Sequence, residues 1–263
     1  MLDWTYISAL LPYALLVFFR LGAFMFVAPP FNLPSIPSLI KISLALVLSA
    51  IVISVLSARL YQGPTLTIFS VAYLGHILLE VVFGLSLGWI VHAFFTLFQT
   101  AGGIIDFQMG FAIANVIDPQ TGAQSPLVGQ WKYMLAIFLL FITGGYRLML
   151  QGVLNSFVFF PPAHLMMLDG VWVPRLVDWF VRVFMIGLEV AAPYAIVLFL
   201  LDLSLGLLSR AVPQMNMFVV GLPVKILGST VILALFLPIF IFMTARLFDR
   251  LFETLLRYPA GLG

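Results

Sequence analysis

The 263 residues contain no cysteine and only three histidines. A chain without thiols can form neither a disulfide framework nor a thiolate metal site. His76 and His92 lie sixteen residues apart, about 24 Å along a straight helix, so they cannot share an ion. No metal or cofactor is expected, and the lack of a His/Asp/Glu cluster argues against an intramembrane enzyme. Charge is scarce too: Asp, Glu, Lys and Arg make up 8% of the residues, where a globular domain carries about 25%. The net charge of +2 is too small to imply a nucleic-acid partner. The start, MLDW, is acidic rather than basic, so the first apolar segment is expected to be retained rather than cleaved as a signal. No G-x-x-x-x-G-K-[ST] phosphate loop occurs, so any energy input must come from partners.

Apolar residues fill the space that charge leaves. They reach 63% of the chain, with a mean hydropathy of +1.18, and the chain is an integral membrane protein. Crossing about 30 Å of hydrocarbon takes roughly 20 helical residues. Segments of that length fall near 5–28, 38–58, 66–99, 131–150, 176–208 and 223–247. The expected fold is all-α and polytopic, with about six long helical segments. The segments 66–99 and 176–208 exceed one crossing and must tilt, bend or project into an assembly. Pro- and Gly-marked loops separate the segments, and none is large enough to fold as a soluble domain. Six crossings put both termini on one side; the arginines of the tail, Arg246, Arg250 and Arg257, favour the cytoplasm by a narrow margin.

Arg20, Glu80, His92, Arg182, Glu189 and Asp202 interrupt the apolar runs. At a helix centre each would cost about 2.5–3.5 kcal/mol on insertion scales, so they are expected to face partner helices or a cavity. In the third segment Glu80, Gly84 and Gly88 recur every four residues and share a helix face. A Gly84-x-x-x-Gly88 step lets another backbone approach closely, which reads as a helix-packing seam.

The stretch from Ile104 to Gln130 differs from everything around it. Ala101-Gly102-Gly103 is expected to end the third segment, because consecutive glycines break a helix. Beyond it, Phe107, Met109 and Phe111 alternate with Gln108 and Gly110, a pattern that suits an extended strip with one greasy face. Asp118-Pro119-Gln120-Thr121-Gly122 is a turn signal. Ser125-Pro126 reads as an N-cap followed by proline at the first helical position. Non-helical backbone at membrane depth survives only when buried in protein or lining a wet cavity. Residue chemistry leaves two readings open: a yielding plug in a pathway, or a re-entrant loop packed statically on its neighbours.

The last third places a polar break between two long helices. Pro213, Gly221 and Pro223 delimit it, Gln214 and Asn216 lie within it, and Arg210 and Lys225 flank it. Such a tip could bind an acidic partner or lipid phosphate, or could anchor helix ends at headgroups.

Two stretches carry a family resemblance. GFAIANVIDPQTGAQSPLVGQ at 110–130 and LLSRAVPQMNMFVVGLPVKI at 207–226 resemble the signature stretches of the FliR family of flagellar type III export-gate subunits, to which an injectisome subunit is related. The resemblance implies a structural, channel-forming protein without a catalytic site. It implies assembly with FliP and FliQ, contact with FlhB, and passage of unfolded flagellar proteins across the bacterial inner membrane at the flagellar basal body. It also implies that Asp106, Phe107, Gln108, Met109, Gly110, Phe111, Asn115, Asp118 and Pro119 belong to a pore plug, within a central pore-facing loop at 104–122. Residues 1–130 are then expected to be FliP-like, and 131–263 to include a FliQ-like hairpin at about 190–247, with Pro223 to Ile226 at its tip. The helices would form tilted hairpins. The alternatives are a secondary transporter using Glu80 or Asp202 as an ion site, and the equivalent subunit of a virulence injectisome.

Overall fold

The computed structural model describes residues 4–60, 66–68, 70–111, 126–163, 172–212 and 217–257. Seven helices occur among them and no strand. They are α1 (Trp4–Val27), α2 (Ser38–Leu60), α3 (Val71–Met109), α4 (Leu127–Ile142), α5 (Gly145–Phe159), α6 (Trp172–Ala211) and α7 (Met217–Arg257). Five are long and apolar enough to cross a membrane, and the pair α4 and α5 can serve as a sixth, broken span. The chain is an all-α, multi-pass membrane protein.

Three boundaries differ from the sequence expectation. The third helix runs to Met109 instead of stopping at Gly102-Gly103. The fourth segment divides at Gly144, whose φ of 73° lies in the left-handed region that glycine adopts without a Cβ penalty. The last helix begins at Met217 rather than near 223, so Gly221 lies on α7 and Pro223 sits inside the helix instead of at its edge. Proline inside an apolar helix is tolerable where neighbouring groups satisfy the freed carbonyl. Pro12, Pro193 and Pro238 sit inside helices as well. The Pro12 carbonyl accepts a 2.9 Å hydrogen bond from the Tyr73 hydroxyl.

The chain forms two compact units, each built from separated stretches. One comprises Met1–Ala93, Gly144–Phe180 and Asp249–Gly263; the other comprises Phe94–Thr143 and Val181–Phe248. In the first unit Arg20 and Glu80 are both buried and joined at 2.5 Å. The Arg20 guanidinium also donates to Ser156 Oγ at 3.2 Å and lies over the rings of Phe83 and Phe157, at 4.7 and 4.2 Å. The second Glu80 oxygen accepts the Ala163 N–H at 3.2 Å. Every oxygen of the carboxylate is engaged, which is what a buried charge requires. Gly84 and Gly88 face the backbone of α1 at Arg20 and Phe24, where a Cβ would collide with a carbonyl oxygen. Asn32 and His92 meet at 3.1 Å.

The second unit is held by rings. Phe94, Phe95 and Phe98 pack edge-to-face with one another, and Phe240 and Phe248 close on them at 5.6–5.8 Å between centroids. Gly187 on α6 lets that helix meet Leu97 on α3 in ordinary van der Waals contact.

Candidate functional site

The site is the junction where α3 ends and α4 begins. The two glycines expected to break α3 instead let another helix approach. A Cβ on Gly102 would run into the backbone of Gly129 on α4, and a Cβ on Gly129 would meet the Gln99 carbonyl at 2.6 Å. Two glycines facing each other let the backbones touch, and close packing offsets their low helix propensity. The helix stops at Gly110, whose φ of +87° is the left-handed C-terminal conformation.

Because α3 continues, residues 107–109 are helical, and the expected extended strip does not form there. A two-residue step in a strand keeps side chains on one face, but in a helix it turns them about 200°. Phe107 therefore points out, 75% exposed, while Met109 is buried with Ile105 against Val128, Tyr194 and Leu198. Phe111 packs on the edge of the same cluster. Gln108 places its side-chain oxygen in a buried position without a hydrogen-bond partner. Asn115, Asp118 and Pro119 lie outside the described residues.

Asp106 does what Ser125 was expected to do. Its carboxylate accepts the N–H of Val128 at 2.9 and 3.1 Å and the N–H of Gly129 at 3.2 Å. The residue before α4 is Pro126, which carries no side-chain acceptor; Ser125 lies outside the described residues. A buried carboxylate, 22 residues upstream of Val128, thus caps the helix and meets the positive end of its dipole. Sequence reasoning missed this role, because a cap is sought next to the helix it caps.

Lys132, one turn into α4, was also missed. It is fully buried, and its Nζ makes no hydrogen bond. The ammonium instead lies 3.9 Å from the Tyr194 ring centroid and 5.0 Å from that of Phe240. Cation–π attraction compensates part of the desolvation of such a charge. Outside this packed layer, Gln99, Thr100, Gly103, Ile104, Phe107 and Pro126 line a shallow open hollow.

At the other candidate site, Lys225 Nζ pairs with Asp202 at 2.6 Å, tying α7 to α6. This gives Asp202 the partner that Arg210, eight residues away on the same helix, could not be. Arg210 is exposed in the last turn of α6. Pro213, Gln214 and Asn216 lie outside the described residues. No three His, Asp or Glu side chains among the described residues converge on a metal-sized site.

These features place the protein in the class of multi-pass helical membrane proteins with over-long, sparsely covered helices. The chain belongs to the bacterial export proteins, family 1, which it matches over residues 11–251. It is 37% identical over 260 residues to the flagellar biosynthetic protein FliR of Bacillus subtilis, with 97% of each chain covered. It is 30% identical over 238 residues to the FliR of Pectobacterium carotovorum, covering 90% of this chain and 89% of that one. The Yop proteins translocation protein T of Yersinia pestis is 28% identical over 158 residues, 60% of each chain.

Proposed function

We propose that the chain is a structural subunit of the flagellar type III protein-export gate in the bacterial inner membrane. In this role it assembles with FliP- and FliQ-type subunits, contacts an FlhB-type partner and lets unfolded export substrates pass. One observation carries the reading: similarity to a FliR extends over 97% of both chains. The weaker and shorter match to the Yersinia translocation protein favours the flagellar over the injectisome form. The helix lengths agree. The apolar spans of α6 and α7 hold 35 and 33 residues, where roughly 20 suffice for a bilayer. Only 33% and 11% of their most apolar windows are buried within the chain. The part of such spans that exceeds one crossing leaves apolar surface outside the hydrocarbon, which other subunits would cover. The FliP-like region at 1–130 and the FliQ-like hairpin at 190–247 belong to the same proposal.

Within that role, the α3–α4 junction supports a plug whose parts differ in duty. Asp106 and Met109 form its rigid foot, and Phe107 is the residue free to face a passage. Gln108, Gly110 and Phe111 join them, and the proposal assigns Asn115, Asp118 and Pro119 to the plug's body. Lys225, with Arg210, Pro213, Gln214, Asn216 and Pro223, forms the partner-contact tip.

The test is co-expression of the chain with FliP- and FliQ-type subunits in a FliR-deletion strain, followed by purification and a motility assay. A co-purifying hetero-oligomer and restored swimming are expected. A chain that purifies alone and reconstitutes solute transport would replace this reading with the transporter.

A further inference from the structure

One face of α6 carries an uncovered seam. From Arg182, the exposed positions Met185, Glu189, Ala192, Ile196 and Phe199 follow at alternating intervals of three and four residues. This is the spacing by which one helix receives the side chains of another as knobs into holes. Met185, Ile196 and Phe199 are 53%, 61% and 63% exposed, so no other described residue covers them.

The seam also carries charge where lipid would not tolerate it. Arg182 and Glu189 lie two turns apart on it, about 10 Å, within the apolar span Val177–Ala211. Both are exposed, and neither has an ion-pair or hydrogen-bond partner among the described residues. Pro193 adds a further demand at the same turn. It has no N–H to give to the carbonyl of Glu189, four residues back, so that turn presents a carboxylate and a freed carbonyl together. A lipid tail satisfies neither.

A second copy of the chain does not fit. Copies inserted with one topology meet about an axis along the membrane normal, and so run parallel. In register, such a pair would set Arg182 on Arg182 and Glu189 on Glu189.

We infer that the α6 seam receives a membrane helix of a different polypeptide. That helix bears an acidic side chain opposite Arg182 and, about two turns away, a lysine, arginine or amide opposite Glu189. The apolar positions supply packing; the two charges set register and exclude wrong partners. This inference rests on the reading of the chain as one subunit of a hetero-oligomeric export gate.

The experiment places a benzophenone amino acid at position 196 of the full chain, co-expressed with FliP- and FliQ-type subunits, and irradiates intact membranes. A crosslink is expected to a different subunit, mapping by mass spectrometry to a helix with an acidic residue near the Arg182 level. Arg182→Glu should lower the crosslink yield about tenfold, the factor for a lost pair of about 1.4 kcal/mol. Arg182→Lys should preserve it, and reversing the partner's acidic residue should restore the yield in Arg182→Glu. Detergent-solubilised Arg182→Glu that melts with the parent protein excludes misfolding as the cause. A crosslink to a second copy, or an unchanged yield in Arg182→Glu, overturns the inference. If the other subunits co-purify while position 196 labels only lipid, the seam faces the bilayer; the inference fails and the export reading stands. If no other subunit co-purifies, both fail.

Discussion

The Asp106 carboxylate, near the end of α3, accepts a 2.9 Å hydrogen bond from the Val128 N–H in the first turn of α4. The end of α3 and the start of α4 therefore meet at one point of the packed layer. Whatever the connection does between its feet, those feet are tied by a charge-assisted cap. Removing the cap with Asp106→Ala is expected to cost about 1–2 kcal/mol, and Asp106→Asn, which keeps an acceptor, clearly less. Thermal unfolding of the detergent-solubilised chain reads both. Equal stability of parent and alanine variant would mean that the cap contributes nothing.

Gly102 and Gly22 are both helical glycines, yet they should respond oppositely to alanine. Gly102→Ala drives a methyl into the Gly129 backbone and should destabilise by about 1–3 kcal/mol. Gly22 has nothing within 4 Å of an added Cβ, so Gly22→Ala should be neutral or stabilise by up to about 1 kcal/mol. Unfolding midpoints of the two variants, measured together, check the contrast.

Arg20 and Glu80 should behave as one unit. Glu80→Leu alone leaves a buried guanidinium unpaired and is expected to cost about 3–5 kcal/mol. Arg20→Met combined with Glu80→Leu should recover most of that loss, giving a large coupling energy in a double-mutant cycle. Additive losses would show that the pair is not the source of the cost.

Lys132 offers the opposite case, a buried charge that makes no hydrogen bond and lies against two aromatic rings. Lys132→Met keeps the length, removes the desolvation cost and should leave stability unchanged or raise it by about 1 kcal/mol or more. A drop beyond about 2 kcal/mol would mean that attraction to Tyr194 and Phe240 outweighs desolvation. Denaturant or heat unfolding decides the sign.

Phe107 and Met109 separate packing from passage. Met109→Ala empties a buried site and should cost about 2–4 kcal/mol. Phe107→Ala should change stability by less than about 0.5 kcal/mol, while raising ion leak through the assembled, resting gate. Single-channel conductance of the reconstituted assembly measures the leak; an unchanged conductance would remove Phe107 from the plug.

Membrane character, the all-α class and most of the long segments were legible from composition and run length alone. A residue's transfer free energy is local, and about 20 apolar residues suffice to specify a crossing wherever they occur. The family was legible in two stretches, at 110–130 and 207–226. The middle of the chain was not. Gly102-Gly103 read as a helix end because, considered singly, glycine disfavours a helix; only the position of Gly129 across the interface reverses that sign.

Phe107, Met109 and Phe111 carry a period of two that suits a strand, yet α3 carries 107–109 as helix. The helix is continued by burial of Ile105 and Met109 against α4 and α6, which no local pattern records. The same holds for charge. The sequence determined that Arg20 and Glu80 need partners inside an apolar chain, and made no such demand for Asp106 or Lys132. Only the tertiary structure decided which: an ion pair for Arg20 and Glu80, a helix N-terminus for Asp106, two aromatic rings for Lys132. Hydrophobicity is additive along a sequence, whereas pairing depends on which segments fold against each other.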